Sequence, residues 1–530
     1  LNETDLAAGE PKAPIQTLIT VVGLSLIVSI ALFLITNQIL LALTGGVGSA
    51  LAWVSFVHPY SALWLLIIYM PFAGTVSYWA EWGNPLLQFG QDILAIPAMI
   101  AILWNLKKNG MPLIIPQNIQ IPLLTVLIFA LATLFTVNLP LDLASAALGS
   151  PSDSIAQPPP TGDFFLMGIL GLKVLLVYLP LITCTYYMIQ NEKTFWTFTR
   201  LHIILAITCC SLGLMQYVML RAGVCQGTDH LTDNAVLAAS LDAKCLVGGS
   251  LIYSPSQNLI RLPGTFAAPW QWGWFLIANT FFAVASAIKD CSPVWRLISF
   301  LALALLVANA VVSGQSAALF VMLVFIMVML ALTGKLVPPT RWASMIGALA
   351  LLSIMSWVLF PEMIQAQFNE IIEGWLASAP TSFMIEQASS QDITILGHGL
   401  GRATNAARIL GETRLIESYY PKLMYEIGIL GVAAFLALVT TLTVVTFKIW
   451  RSLENKTWRS YAACFWLFIL LISYPPYHYP LDAAPVAIYY WMILGLVLRL
   501  PNLEQQLEQQ APEKRLSQDL GQDNEGHQVA

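Results

Sequence analysis

Runs of about 20 apolar residues recur along the whole chain, and short polar breaks separate them. They lie near 15–36, 38–57, 61–79, 88–106, 119–137, 164–189, 201–220, 266–288, 297–312, 315–333, 342–360, 423–447, 460–477 and 484–500. At 1.5 Å rise per residue, roughly 20 mostly apolar residues cross a bilayer as one helix. Two runs are weaker: "TGGVG" breaks 38–57, and 297–312 is short. The pattern therefore predicts 12 to 14 spans. Strands of a membrane barrel would alternate apolar and polar residues, and these runs do not. The expected fold is an all-α polytopic integral membrane protein, with one large extracytoplasmic loop before the last three helices.

Composition agrees. Hydrophobic residues make up 57% of the 530 residues, charged residues 10%, and mean hydropathy is +0.72. A soluble domain carries about 25% charged residues. Net charge is −5. No basic stripe is present, which argues against a nucleic-acid partner. The bilayer is the expected partner.

Lys and Arg in the short loops set the orientation. With 14 spans, "LKKNG" at 106–110, Lys193 with Arg200, Lys289 with Arg296, "GKLVPPTR" at 334–341, "KIWRSLENKTWR" at 448–459 and Arg499 share one side. Both termini fall there too, and that side is expected to be cytoplasmic. The polar stretch "LNETDLAAGEPKAP" has no cleavage pattern, so the first run is read as a retained span. The chain then divides into a cytoplasmic tail at 1–14, an N-terminal transmembrane half at 15–250, a second transmembrane region at 251–500 and a polar tail at 501–530. The last is read as disordered or as a frayed helix.

Three polar segments fall outside, at 138–163, 221–262 and 361–422. The first holds "PSDSIAQPPPTGD", read as a spacer. The third opens with 361–376, where Ile364, Phe368, Ile371, Ile372 and Trp375 recur at helical spacing. That spacing predicts an amphipathic helix on the membrane boundary. Cys184, Cys209, Cys210 and Cys464 read as packing residues, and Cys291 lies on the cytoplasmic side. Cys225 and Cys245 share the second outer loop; a disulfide closing it is one reading and two free thiols the other. No CxxC pair or His/Cys cluster has metal-ligand spacing, so no metal is expected.

Ionisable groups in or beside a bilayer ask for a reason. Lys173, inside "GILGLKVLLVYLP", either snorkels to headgroups or faces an anionic substrate. Arg261 opens "RLPGTFAAPWQWGWFL". Trp270, Trp272 and Trp274 read as an interfacial belt, which leaves Arg261 unexplained on the outer side. A guanidinium there suits a phosphate or diphosphate. "GHGLGR" at 397–402 brings His398 and Arg402 onto a flexible turn. Arg402, Arg408 and Arg414 are expected on one side of a short helix, as substrate contacts or as a solvated basic face. Glu417 is a candidate general base, or the partner of Arg414 or Lys422. Glu426 is read as a partner of Lys422.

Taken in order, "RLPGTFAAPWQWGWFL", "GHGLG", "ESYYPKLMYEIGILG" and "YYWMILGLVLRL" resemble the O-antigen ligase and polymerase family over residues 250–500. The resemblance implies a metal-independent glycosyltransferase. It would take a glycan from an undecaprenyl-diphosphate carrier and pass it to a glycan or lipid acceptor on the outer side of the bacterial inner membrane. Surface polysaccharide synthesis, with other export proteins as partners, would be the setting. Arg261 would hold the diphosphate, with Arg402 as a second contact. From the residues themselves, His398, Arg414 and Lys173 are expected as further substrate contacts and Glu417 as the catalytic base. Two positions depart from the family. Ligases carry a histidine where Glu417 stands, which favours a polymerase. A Ser–Arg–Gly turn is replaced by "SGQSAA" at 313–318, with Gln315 in place of an arginine. Two other classes are a transporter of a small anion or lipid-linked sugar, and a non-catalytic part of an export complex. A transporter should gather ionisable groups near the midplane on broken helices.

Overall fold

The structure is a computed structural model. It describes residues 14–81, 90–114, 116–147, 162–231, 235–236, 240, 243–257, 259–333, 394–474, 480–482 and 484–526, with isolated positions at 347, 365, 369, 372, 385, 388 and 389. The protein is an all-α, multi-pass membrane protein. Among the described residues, nine helices are long and apolar enough to cross a membrane, and Leu41–Val57 and Ser316–Met329 are shorter apolar helices. The span at 342–360 and the amphipathic helix at 361–376 lie, isolated positions apart, outside the described residues.

Helices α1 (Pro14–Thr36) and α2 (Ile39–Val57) form an antiparallel hairpin at the edge of the bundle, and α2 leans on α5 (Gly90–Lys108). Between them in the chain come α3 (Pro59–Tyr69) and α4 (Ala73–Glu81), joined by a short 3₁₀ turn. α6 (Gln117–Thr133) passes through a π turn at Leu134–Asn138 into α7 (Leu139–Ala147). The polar loop expected from 138 therefore begins later, because the π turn carries the helix on and rotates Asn138 into the interior, where it is fully buried. α8 (Phe164–Leu176), α9 (Leu181–Met188) and α10 (Glu192–Arg221) come next.

The centre of the bundle is α11 (Pro269–Lys289), nearly every residue of which is buried. It packs against α10, α12 (Pro293–Val312), α13 (Ser316–Thr333), α15 (Lys456–Ser473) and α16 (Val486–Gly526). Trp272, expected in an interfacial belt, is instead wholly buried. It stacks on Phe275 at 5.3 Å between centroids and fits against Gly264. Trp270 and Trp274 are half-buried. α16 stays helical through the polar segment as far as Gly526.

The helix α14 (Tyr419–Ser452) has 34 residues, about 50 Å at helical rise. It is broken at Gly428, whose φ of 70° and ψ of −179° leave the helical region. Between α10 and α11, a short antiparallel pair, β1 (Ile252–Ser254) and β2 (Leu259–Arg261), sets Ile252 opposite Arg261. A disulfide joins Cys225 to Cys245, with Cα atoms 5.5 Å apart, and closes this loop. Cys184, Cys209, Cys210 and Cys464 are buried thiols, and Cys291 is exposed.

Candidate functional site

The 394–418 segment meets the start of α8, and the 480–482 turn meets the start of α14 through Lys422; α8, α9 and α10 return the chain to the same face at the disulfide loop, here called the long-loop face. The 394–418 segment does not lie over this face. It is inserted between α6, α8 and α14.

Two features of the chain permit the insertion. The first is the break at Gly428, where the freed backbone groups pair with the inserted segment. The His398 amide donates to the Tyr425 carbonyl at 2.7 Å, and the Ile429 amide donates to Thr394 at 3.3 Å. A Cβ at Gly428 would stand 2.1 Å from the Ile395 carbonyl oxygen, so a side chain there is excluded. The second is the contact of Gly401 with α8. A Cβ on Gly401 would stand 1.9 Å from the Met167 carbonyl oxygen, and one on Gly171 would stand 2.4 Å from the Gly401 nitrogen. Backbone meets backbone there because neither residue has a side chain.

Buried polar side chains hold the inserted loop, among them Thr133, whose hydroxyl donates to the Leu396 carbonyl at 2.8 Å. Asn138 accepts from the Leu400 amide at 2.9 Å, and its Nδ2 donates to Leu400 at 2.9 Å and Phe164 at 2.8 Å. Glu426 accepts from the Ala403 amide at 2.9 Å and from the Thr404 hydroxyl at 3.0 Å. Its other oxygen lies 3.7 Å from Lys422 Nζ. Lys422 also pairs with Asp482, from the turn before α16. These three charged groups are 3%, 2% and 11% exposed respectively, so two carboxylates and one ammonium share an enclosed site. A turn of the last loop, a transmembrane helix and the Gly-rich loop are thereby joined.

The residues expected to bind substrate divide into three places. His398, Arg402 and Arg414 come together. Arg402 Nη1 donates to the His398 carbonyl at 3.1 Å, and its guanidinium lies 5.4 Å from the Phe164 ring centroid. The Arg414 amide donates to the Arg402 carbonyl at 2.8 Å. His398 stacks on Tyr425 at 4.7 Å between ring centroids, and the Arg414 guanidinium lies 5.4 Å from the same ring's centroid. The short helix expected over 402–414 is only a 3₁₀ turn at Asn405–Ile409. Arg402 is half-buried while Arg408 and Arg414 are exposed, so the spacing of six does not build one basic face. Glu417 sits half-buried, two residues before α14 begins. Lys422, one of its expected partners, is engaged by Glu426 and Asp482. Glu426 pairs with Lys422 as the spacing of four predicts.

Lys173 occupies the second place. Its Nζ lies 2.5 Å from Asp92 Oδ2, and the Tyr178 hydroxyl donates to Asp92 Oδ1 at 2.5 Å. The lysine is thus met by a carboxylate of α5. Arg261 occupies the third place, exposed at the end of β2. Its strand is packed on the "SGQ" turn: the Leu262 amide donates to Ser313 at 3.1 Å, and a Cβ on Gly314 would stand 1.8 Å from the Ile260 oxygen. Gln315 faces Gly273 of α11. The Arg261 segment and the "SGQ" turn are therefore neighbours.

Asn138, Asp92, Tyr178 and Asp482 are absent from the residues expected from sequence. Asp92 is the single carboxylate of "GQDILAIPAMIAILW", a signal that was available. Asn138 and Asp482 stand in stretches with no such contrast. Among the described residues, no group of three or more His, Cys, Asp or Glu could hold a metal ion. No family model matches the chain, and no curated protein matches it.

Proposed function

We propose that this protein transfers or polymerises a glycan from an undecaprenyl-diphosphate carrier. The long-loop face would be the outer face of the bacterial inner membrane, and both termini would be cytoplasmic. What supports the reading most is the insertion of the 394–418 segment into the bundle. It gathers His398, Arg402 and Arg414 beside the mouth of α14, where Glu417 stands half-buried. A lipid-borne donor can reach such a place through the bilayer, and a polar acceptor can reach it through water. The guanidiniums suit the charge that builds on a departing diphosphate. Glu417 suits removal of the acceptor proton as that oxygen attacks the anomeric carbon. The Cys225–Cys245 disulfide supports the orientation, since such bonds persist in oxidising compartments.

Transport is the second reading, because the broken helix at Gly428 beside Glu426 and Lys422 is a feature of transporters. In a transporter the freed backbone groups of a broken helix face the cargo. Here Tyr425 and Ile429 spend theirs on His398 and Thr394, which favours a fixed wall and hence an enzyme. The test is purified protein incubated with a lipid-diphosphate glycan. Wild type should lengthen or transfer the glycan. Glu417→Gln should lose about 10²–10⁴-fold of that activity while keeping the wild-type thermal midpoint. Full activity in the variant would remove Glu417 as the base, and an inert wild type would remove the glycosyltransferase reading.

A further inference from the structure

We infer that Glu426 is the positioning residue for Arg402, setting its guanidinium for the lipid diphosphate; the inference rests on the glycan-transfer reading above. The loop that carries Arg402 has little stiffness of its own. Gly397, Gly399 and Gly401 all take positive φ, at 79°, 116° and 78°, and glycine leaves these torsions free to change. Something outside the loop must therefore hold it. Among the groups that hold it, two anchors flank Gly401 and Arg402, one on each side. Before them, Asn138 binds both the amide and the carbonyl of Leu400. After them, Glu426 binds the Ala403 amide and the Thr404 hydroxyl.

The second anchor is the stronger, because its acceptor is a carboxylate and hydrogen bonds to ionised groups exceed neutral ones. Lys422 keeps that carboxylate in register from one helical turn away, and Asp482 holds Lys422 from the far side. Glu426 itself is enclosed. It therefore acts on an incoming diphosphate through the loop. Arg402 emerges from this clamp with one nitrogen on the His398 carbonyl and its guanidinium carbon over the Phe164 ring. That arrangement restrains the guanidinium from two sides. A diphosphate gripped by a guanidinium depends on the direction of the fork as well as on its charge.

The experiment measures binding of undecaprenyl diphosphate and of undecaprenol to the full-length protein in detergent. Wild type should prefer the diphosphate. Glu426→Ala should weaken diphosphate binding on the order of 10-fold, as expected for a misplaced contact, and leave undecaprenol binding unchanged. Glu426→Gln, which keeps an acceptor oxygen, should lose less. In an Arg402→Ala background, Glu426→Ala should add no further loss, since there is no guanidinium left to position. Wild-type diphosphate binding in Glu426→Ala overturns the inference while leaving the glycan-transfer reading intact, and so does a further loss on top of Arg402→Ala. A merely structural role would weaken both lipids together. If Glu426→Ala does not fold, Thr404→Val carries the same test, and equal binding to wild type overturns the inference. A wild-type protein with no preference for the diphosphate overturns the glycan-transfer reading itself.

Discussion

Lys422→Met removes the cation that stands between the buried Glu426 and the half-buried Asp482. Lys422 Nζ lies 3.7 Å from Glu426. At an effective dielectric of about 20, that attraction is about 4.5 kcal/mol. The hydrogen bonds from Ala403 and Thr404 remain on Glu426 after the change, but they do not neutralise it. Removing one partner of a buried pair typically costs about 3–5 kcal/mol, because the other charge stays enclosed without compensation. Here Asp482, at 11% exposure, is stranded as well. We therefore expect Lys422→Met to destabilise the protein by about 3–5 kcal/mol. The assay is unfolding in mixed micelles titrated with a denaturing detergent, followed by tryptophan fluorescence. Neutralising all three groups together, as Lys422→Met with Glu426→Gln and Asp482→Asn, should recover more than half of the loss. A Lys422→Met protein within about 1 kcal/mol of wild type would put the cluster in the energy range of an exposed pair and refute the reasoning. So would a triple variant no more stable than the single one.

Three other outcomes are expected. Arg261→Lys should impair glycan transfer in the same assay, because an ammonium cannot reproduce a two-pronged grip; unchanged activity would remove Arg261 from diphosphate binding. Gly428→Ala should destabilise the protein by about 1–3 kcal/mol from backbone strain alone, and by more through collision with Ile395; a wild-type midpoint would mean that α14 can straighten there. In intact cells, a membrane-impermeant maleimide should label Cys225 and Cys245 only after a reductant is added. It should label Cys291 only after the membrane is opened. The reverse pattern would invert the proposed orientation.

The helices were legible because lipid imposes a simple rule: an exposed backbone polar group in the bilayer core has no partner, so apolar runs of the right length become helices. That rule says nothing of which helix meets which. It located the run around Asp92 and the run around Lys173, but not that the two side chains would meet, since their encounter depends on where α5 and α8 stand in the bundle. It also failed where the helix departs from 3.6 residues per turn. The π turn at Leu134–Asn138 shifts the facing of α7 relative to α6, and Asn138 reads in the sequence as the first residue of a loop. Trp272 failed for a related reason. Aromatic residues at a span end usually lie at the interface, but the glycines at 213 and 264 open a recess that admits the whole indole.

Pairs four apart on one helix were legible, as Glu426 and Lys422 show, because helical geometry alone brings them together. Their meaning was not. In sequence the pair looks like a helix surface contact of a few tenths of a kcal/mol. In the fold it is enclosed, carries an unequal number of charges, and binds a loop more than 20 residues away in the chain. The distinction matters for the part of the chain that the chemistry would use. A glycine-rich loop on a membrane surface would sample many positions, and its arginine would meet an anion only as a diffuse charge. The same loop held at Leu400 by Asn138 and at Thr404 by Glu426 offers a guanidinium in one place. Preorganisation of that kind is what separates a solvated basic face from a binding site.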